Sequence, residues 1–286
     1  MANLKELRSR ITSVSSTMQI TSAMKMVSAA KLSRAQDAIT SMRPYSEKLT
    51  QLLQDLSATL DDEDGSKFSE EREVNRVLIV AISSNKGLAG AFNTNIIKAV
   101  KTKIQEEYQG KEVEILGIGK KANDILKKTN TIYQNNNEVY DDLNFESTAE
   151  IAEDLMQQFL DGKFDRIDLV YNQFINAGTQ VVIKEQLLPI ERFESDSNVQ
   201  LDYIFEPSKL EIVKDLIPKS LKMQLFKALR DSFAAEHGAR MTAMHKATDN
   251  AQELRDDLKL SYNKARQASI TNEILEIVGG AEALNG

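Results

Sequence analysis

The sequence predicts an α/β protein, in which the N- and C-terminal helices form a long antiparallel coiled coil and a Rossmann-like α/β domain lies between them. Three observations support this fold class. Apolar residues recur at heptad spacing between Leu4 and Leu60. A second long stretch, rich in alanine and poor in proline, follows Pro207. Between the two, short apolar runs alternate with helical patterns, which is typical of a mostly parallel sheet.

The first helix is predicted over residues 1–57, within an N-terminal coiled-coil segment of residues 1–60. A strict seven-residue repeat keeps one apolar seam facing a partner helix and implies a left-handed supercoil. Pro44 should kink this helix. Polar residues interrupt the seam at four positions, Thr21, Lys25, Ser28 and Ser46. The seam runs through Leu4, Leu7, Ile11, Val14, Met18, Thr21, Lys25, Ser28, Leu32, Ala35, Ile39, Met42, Ser46, Leu49, Leu53, Leu56 and Leu60.

The middle domain is predicted over residues 61–207 and begins at an acidic segment that contains Gly65. The near-continuous apolar run of residues 77–82 is typical of a strand buried on both faces. The Asn-rich residues 135–137 are predicted to form a loop. The remaining predicted elements are helices near 91–108, 120–128 and 147–160, strands at 113–118 and 166–171, and an apolar stretch at 181–190.

The second helix is predicted over residues 208–286, with interruptions at Pro218 and Gly238. At 1.5 Å per residue, residues 1–57 and 208–278 would span roughly 85 Å and roughly 105 Å. A middle domain of this size would be only about 40 Å across, so the helices should extend beyond it as an antiparallel pair. The seam of the second helix is predicted at Met244, Ala247, Ala251, Leu254, Leu258, Ser261, Ala265 and Ala268.

Composition excludes several classes of protein. The 286 residues are 41% apolar and 28% charged, which is ordinary for a soluble protein with a core. We expect neither a transmembrane span nor a secretory leader, because no apolar run approaches the roughly 18 residues that a span requires. The chain has no cysteine, which excludes disulfides and thiol chemistry, and two histidines are too few for a typical zinc site.

The charge of the chain is unevenly distributed. Residues 1–57 carry a net charge of +4 and residues 208–286 carry +1, which leaves −12 for the middle of a chain whose net charge is −7. This pattern favours an acidic protein partner for the helices over nucleic acid, whose binding proteins usually concentrate more positive charge on one face. Ordinary solvated helix faces would explain the charges equally well.

Two loops were considered as phosphate-binding sites, and neither fits a known motif. Residues 83–90 follow the first predicted strand but place Lys86 before Gly87, and residues 117–119 lack the third glycine of a dinucleotide fingerprint. His237 and His245 could share a helix face, but no carboxylate pair accompanies them at metal-ligand spacing. No paired acid and base is apparent either. The chain is therefore interpreted as non-catalytic and without a cofactor.

Two terminal segments of the chain carry recognisable motifs. The first runs from Ser9 through Leu32 and includes Met18-Gln19-Ile20-Thr21-Ser22-Ala23-Met24-Lys25. The second runs from Glu236 through Gly280 and includes Tyr262-Asn263-Lys264-Ala265-Arg266-Gln267-Ala268-Ser269-Ile270-Thr271. Both motifs resemble the gamma subunits of F-type ATP synthases. The turn Gly87-Leu88-Ala89-Gly90 is also similar to the family's Gly-Leu-Cys-Gly turn, with Ala89 in place of cysteine. The resemblance covers the whole chain in order.

The resemblance implies a central rotor shaft that couples ion-driven rotation of a membrane ring to ATP synthesis or hydrolysis. Its partners would be the alpha and beta subunits of the catalytic ring, the epsilon subunit and the c-subunit ring, with no nucleic acid. The protein would be a peripheral, non-catalytic part of the complex at the cytoplasmic face of a bacterial membrane.

The resemblance also implies site residues. Contacts with the beta subunit would come from Arg266, Gln267, Thr271, Arg240, Met24, Lys25, Lys31 and Arg34. An apolar tip in the bearing at the top of the ring would comprise Ile274, Ile277, Val278 and Leu284. Tyr203 would face epsilon. For each group the alternative is structural: a solvated coiled-coil flank for the contact residues, or the core of the helix pair for the tip.

Two other functions are alternatives to the rotor shaft. An α/β enzyme with helical arms would form a stable homodimer and bind a small ligand. A structural coiled-coil adaptor would assemble with partners but would not affect ATPase activity. The rotor shaft requires both a hetero-oligomeric assembly and a functional effect on it.

Overall fold

The computed structural model describes residues 4–57, 67–190, 206 and 209–285. Five helices and five strands are assigned within these residues. They are α1 (Leu4–Ser57), β1 (Arg76–Ile82), α2 (Phe92–Glu107), β2 (Glu112–Ile118), α3 (Lys120–Leu126), β3 (Thr131–Asn135), α4 (Phe145–Leu160), β4 (Arg166–Asn176), β5 (Thr179–Leu188) and α5 (Lys209–Asn285).

The chain divides into two compact units. Met1–Ser28 and Met241–Gly286 form one, which we call the helix-pair unit, and Ala29–Arg240 form the other, which we call the sheet unit. Each long helix contributes residues to both units. The predicted domain boundaries near residues 60 and 207 fall outside the described residues.

The sheet has five strands in the order β3-β2-β1-β4-β5. The first four are parallel, and β5 pairs antiparallel with β4 as a hairpin. The predicted α/β fold with a mostly parallel sheet is confirmed. Strand β3 was not predicted, and it includes Asn135 from the expected loop. Its short sequence, Thr-Ile-Tyr-Gln-Asn, lies at the sheet edge and is only partly buried, so it lacks the apolar run of a central strand.

Apolar side chains cover both faces of the sheet. Strand β1 is the centre of the core, because six of its seven residues are buried and alternate between the faces. One face packs against α2 and α3. The other face packs against α4 and the first half of α5, through residues such as Leu221, Leu225 and Leu229. The sheet unit therefore has three layers, with α5 forming part of one outer layer.

The heptad seam of α1 is buried even where it is polar. In the helix-pair unit Leu7, Thr21 and Ser28 are buried, and Lys25 is half-buried. In the sheet unit Ser46 is buried as well. The polar positions are therefore part of the packed seam and do not end it. No helix in the described part of the chain has an apolar stretch long enough to cross a bilayer.

The seam of α5 differs from the predicted one at Leu254, Ser261 and Ala268. Met244 and Ala251 are buried as predicted, whereas Leu254 is 51% exposed. Ser261 and Ala268 are also exposed. Ala247 is half-buried as predicted, but so is Thr248, and the residues that follow the three exposed positions, Arg255, Tyr262 and Ser269, are half-buried as well.

The predicted interruption at Gly238 has a packing role. The residue is buried in α5, and a Cβ atom there would lie 3.3 Å from the Cα and carbonyl oxygen of Ala177, in the β4–β5 turn. Glycine thus permits a close approach between the helix and the hairpin, which offsets its cost of about 1 kcal/mol in helix propensity. Both long helices continue through their prolines, Pro44 and Pro218.

Candidate partner-binding surfaces

The C-terminal part of α5 is an exposed apolar surface within the helix-pair unit. Every residue from 270 to 281 is exposed. Ile277, for example, is 71% exposed, so it cannot belong to the core of a helix pair. Clustered exposed apolar side chains usually mark an interaction site. The other exposed large apolar residues of the segment are Ile270, Ile274, Leu275 and Val278.

Three of the predicted contact residues lie next to this apolar surface. Arg266, Gln267 and Thr271 are all exposed on α5. The Thr271 hydroxyl donates to the backbone carbonyl of Gln267 at 2.9 Å, one helical turn earlier. The Arg266 and Gln267 side chains therefore point toward solvent with their donors accessible to a partner.

A second exposed apolar surface lies on α1 and was not predicted. Ile20, Met26 and Val27 are each more than half exposed in the helix-pair unit. Met24 and Lys25, which were predicted to contact a partner, are half-buried beside them. The signal was present in the sequence, since Ile20, Met26 and Val27 are apolar residues outside the heptad seam, where solvated helices carry polar side chains.

Arg240 makes several contacts within the sheet unit. It is buried in the sheet unit, where its guanidinium pairs with Glu236 at 2.5 Å. It also donates to the backbone carbonyls of Lys86 and Gly87, at 3.1 and 3.2 Å. These contacts hold the loop after β1 against α5. In this structure Arg240 stabilises the sheet unit, and its contact with the beta subunit stays a prediction.

Two basic residues of α1 lie at the surface of the sheet unit. Lys31 and Arg34 are both exposed on α1. The positive charges of Lys31 and Lys86 both act on the Glu236 carboxyl. Burial raises the pKa of Glu236, while Arg240 and these lysines oppose that shift. A cluster of cations therefore surrounds one buried carboxylate and remains accessible to an acidic partner.

His237 is buried next to this cluster. Its ring packs edge-on against Phe233 with centroids 4.5 Å apart. Neither ring nitrogen has a hydrogen-bond partner among the described residues. Burial lowers the pKa of His237 to about 4, and the charges of Arg240 and Lys31 add to the shift. The imidazole is therefore neutral at neutral pH.

This histidine predicts a specific pH dependence. Unfolded histidine binds a proton below about pH 6.5, whereas folded His237 does so only near pH 4, so stability should fall as the pH decreases through this window. Between pH 7 and 4 we expect the wild type to lose up to about 3 kcal/mol more than His237→Gln. Urea unfolding of both proteins across this range measures the difference.

Comparing the wild type with His237→Gln separates the contribution of the histidine to the pH dependence of stability from that of its acidic neighbours. Burial raises the pKa of both Glu236 and Asp231. A raised carboxyl pKa has the opposite effect, because protonation at low pH then favours the folded state. These carboxyls remain in His237→Gln, so their contribution cancels. Parallel pH profiles for the two proteins would show that His237 is not the responsible group.

The loops considered for phosphate binding are occupied by hydrogen bonds within the sheet unit. The backbone amides at the start of α3 donate to the loop after β1: Lys120 to the Asn85 side chain at 3.1 Å, Lys121 to the Ser84 carbonyl at 3.0 Å and Ala122 to the Ser83 hydroxyl at 3.0 Å. Amides at a helix start are the groups that would bind a phosphate. Here they join two loops of the sheet instead.

The two histidines do not lie in a common site. His237 is buried in the sheet unit and His245 is exposed in the helix-pair unit, where it lies 3.3 Å from Asp249. Within the described residues, no group of three or more histidine, aspartate or glutamate side chains could hold a metal ion. Tyr203 and the side chain of Leu284 lie outside the described residues.

The fold, with its long paired helices, and these exposed surfaces are those of a protein that acts through contacts with other proteins. A family model described as ATP synthase matches residues 3–284. The ATP synthase gamma chain of Christiangramia forsetii is 81% identical, and that of Flavobacterium psychrophilum is 67% identical, each over the full length of both chains. The chain belongs to the ATP synthase gamma chain family.

Solved structures show the same fold. A chain of the Euglena gracilis mitochondrial ATP synthase, in a structure of its OSCP, F1 and c-ring parts, aligns with a TM-score of 0.72 at 22% identity. The alignment covers 98% of this chain and 94% of that one. A chain from the central stalk and c-ring of the Tetrahymena thermophila mitochondrial enzyme aligns with a TM-score of 0.60 at 24% identity, covering 80% of this chain and 99% of that one.

Proposed function

We propose that this chain is the central rotor shaft of an F-type ATP synthase. The observation that carries the proposal is full-length identity of 81% to a named gamma chain. The similar Euglena chains come from structures described as a rotor and as OSCP, F1 and c-ring. On this proposal the helix-pair unit turns within a ring of alpha and beta subunits, and the sheet unit binds the epsilon subunit and the c-ring.

The physical features of the helix-pair unit support this role. Two paired helices form a stiffer element than one helix or a loop, and they can therefore transmit torque. The surface of the helix-pair unit presents exposed side chains such as Met26 and Arg266. A contact that must break and re-form during rotation is better served by such side chains, because a tightly packed interface would hold one position.

We infer that the chain is a non-catalytic subunit, peripheral to the membrane at its cytoplasmic face. The amides at the start of α3 are satisfied by the loop after β1, which supports a structural role for the loops that face the carboxyl ends of the strands. Nucleotide chemistry would then belong to the alpha and beta subunits. Ion flow through the membrane ring would drive the rotation.

The proposed contact residues fall into three groups. Arg266, Gln267 and Thr271 on α5, together with Met24 and Lys25 on α1, would contact beta subunits from the helix-pair unit. The cations Lys31 and Arg34 would meet acidic segments of beta from the sheet unit. The third group would form an apolar bearing tip: Ile274, Ile277, Val278 and Leu284. A contact between Tyr203 and epsilon also remains a proposal.

Native mass spectrometry of the tagged chain, purified from its own cells, tests the proposal. We expect one copy of this chain together with three copies each of two nucleotide-binding subunits. A variant truncated after Gly238 should lose or weaken this assembly, because it lacks the part of α5 in the helix-pair unit. A homodimer, or a monomer carrying a small ligand, would instead indicate an enzyme with helical arms.

The contact residues can be tested in the assembled complex. Replacing both Arg266 and Gln267 with alanine should lower its ATP hydrolysis several-fold, because arginine is enriched among the few interface residues whose truncation costs more than about 1 kcal/mol. The matched control is Lys259→Ala, since Lys259 is also exposed on α5. Equal activity of the double variant and the control would remove these two residues from the interface.

A further inference from the structure

Helix α5 carries two overlapping heptad stripes in the helix-pair unit. Both include Met244, Ala251, Leu258 and Ala265. The intervening positions of the first stripe are small or apolar, at Ala247, Leu254, Ser261 and Ala268. Those of the second are Thr248, Arg255, Tyr262 and Ser269. The structure packs the second, more polar stripe toward α1.

Two polar contacts hold the observed stripe in place. The hydroxyl oxygens of Thr21 and Thr248 lie 2.8 Å apart and form a hydrogen bond between the helices. The Arg255 guanidinium donates to the sulfur of Met18 at 3.7 Å. Single polar pairs in a coiled-coil seam characteristically select one register among competing ones.

In the observed packing the first, more apolar stripe of α5 does not face α1. Leu254 is 51% exposed. It borders an open groove of about 220 Å³ that is lined by Ser9, Ser13 and Val14 of α1, among other residues. An apolar cavity of about 150 Å³ can hold a benzene ring, so this groove has room for a leucine side chain.

We propose that the helix pair has two packing registers, related by rotation of α5 about its own axis by about 50°, which is the angle between the two stripes at 3.6 residues per turn. In the second register Leu254 fills the groove, while Thr248 and Arg255 turn toward solvent. The pair then loses an exposed leucine on one flank of the seam and gains an exposed cation on the other. A partner that binds one of these faces selects the corresponding register.

Disulfide trapping in the full chain tests the proposal, and the natural sequence has no cysteine to interfere. Counting fourteen residues from the Thr21–Thr248 pair along both antiparallel helices places Leu7 opposite Tyr262. The pair Leu7→Cys with Tyr262→Cys therefore reports the observed register. The pair Leu7→Cys with Ser261→Cys reports the second one. Leu7→Cys with Lys264→Cys is the background control, since Lys264 is exposed.

We expect the first pair to cross-link most rapidly and the second to cross-link above the background. Thr248→Ala, which removes the interhelical hydrogen bond, should raise the ratio of the second product to the first several-fold. Leu254→Ser, which removes the side chain that would fill the groove, should lower that ratio several-fold. Fraying of the helix ends would change the ratio in the same direction in both variants. That result, or a second pair that never exceeds the background, would overturn the proposal.

Discussion

Replacing Gly119 with alanine should strongly destabilise the sheet unit, and much more than the same replacement at Gly110. Gly119 lies between β2 and α3 with φ of +96°. A Cβ atom there would lie 2.1 Å from the Ser83 carbonyl oxygen. Ser83 cannot move away easily, because its amide donates to the Ile118 carbonyl at 2.7 Å and its hydroxyl accepts from Ala122. We expect a loss of at least about 4 kcal/mol in the free energy of unfolding.

The matched control for this prediction is Gly110→Ala. Gly110 also has a positive φ, of +80°, but no atom lies within 4 Å of its would-be Cβ. It should therefore show only the backbone strain of a left-handed residue, about 1 kcal/mol. Urea unfolding followed by near-ultraviolet tyrosine signals measures both variants, since the chain has no tryptophan. Equal losses for the two variants would refute the steric argument.

Replacing Asp168 with alanine is the second large effect that we expect. Asp168 is fully buried in β4, where it lies 3.1 Å from both the Lys103 ammonium and the Arg166 guanidinium. The Tyr108 hydroxyl also donates to it. Removing the carboxylate leaves the buried Lys103 and Tyr108 without this partner. Breaking a buried ion pair from one side typically costs about 3–5 kcal/mol, and the free energy of unfolding should fall by that amount.

Glu107→Ala provides the comparison for Asp168→Ala. Glu107 pairs with the same Lys103 at 2.6 Å, but its side chain is 43% exposed. An exposed carboxylate keeps much of its hydration, so its loss should cost no more than about 1 kcal/mol. Urea unfolding at neutral pH would separate the two variants. Similar losses would mean that the burial of Asp168 does not determine its contribution.

The sequence predicted those parts of the sheet unit whose elements have a strong periodic signal. Strands β1, β2 and β4 were found from their apolar runs, because strands with both faces covered consist of little else. Strand β3 was missed, since an edge strand of five residues with polar ends resembles a loop. The antiparallel direction of β5 was also not predicted. It depends on the short turn after Asn176, which the apolar pattern does not reveal.

The motif named both exposed and buried residues as candidate contacts. Ile274, Ile277 and Val278 were named from the motif, and their exposure excludes the alternative of a helix-pair core. Arg240 was named from the same motif but is buried and paired with Glu236. A motif identifies residues of a family without stating whether a given side chain faces a partner or the interior.

The sequence by itself determined the family, the predominantly parallel sheet and the heptad of α1, since each depends on residue identities or on periodicity along the chain. Only the tertiary structure decided which stripe of α5 faces α1. Thr248 finds its partner in Thr21, 227 residues earlier in the chain. Periodicity favours the apolar stripe through Leu254, whereas a hydrogen bond between distant residues favours the polar one. Such a contact exists only after folding, so no local pattern could have revealed it.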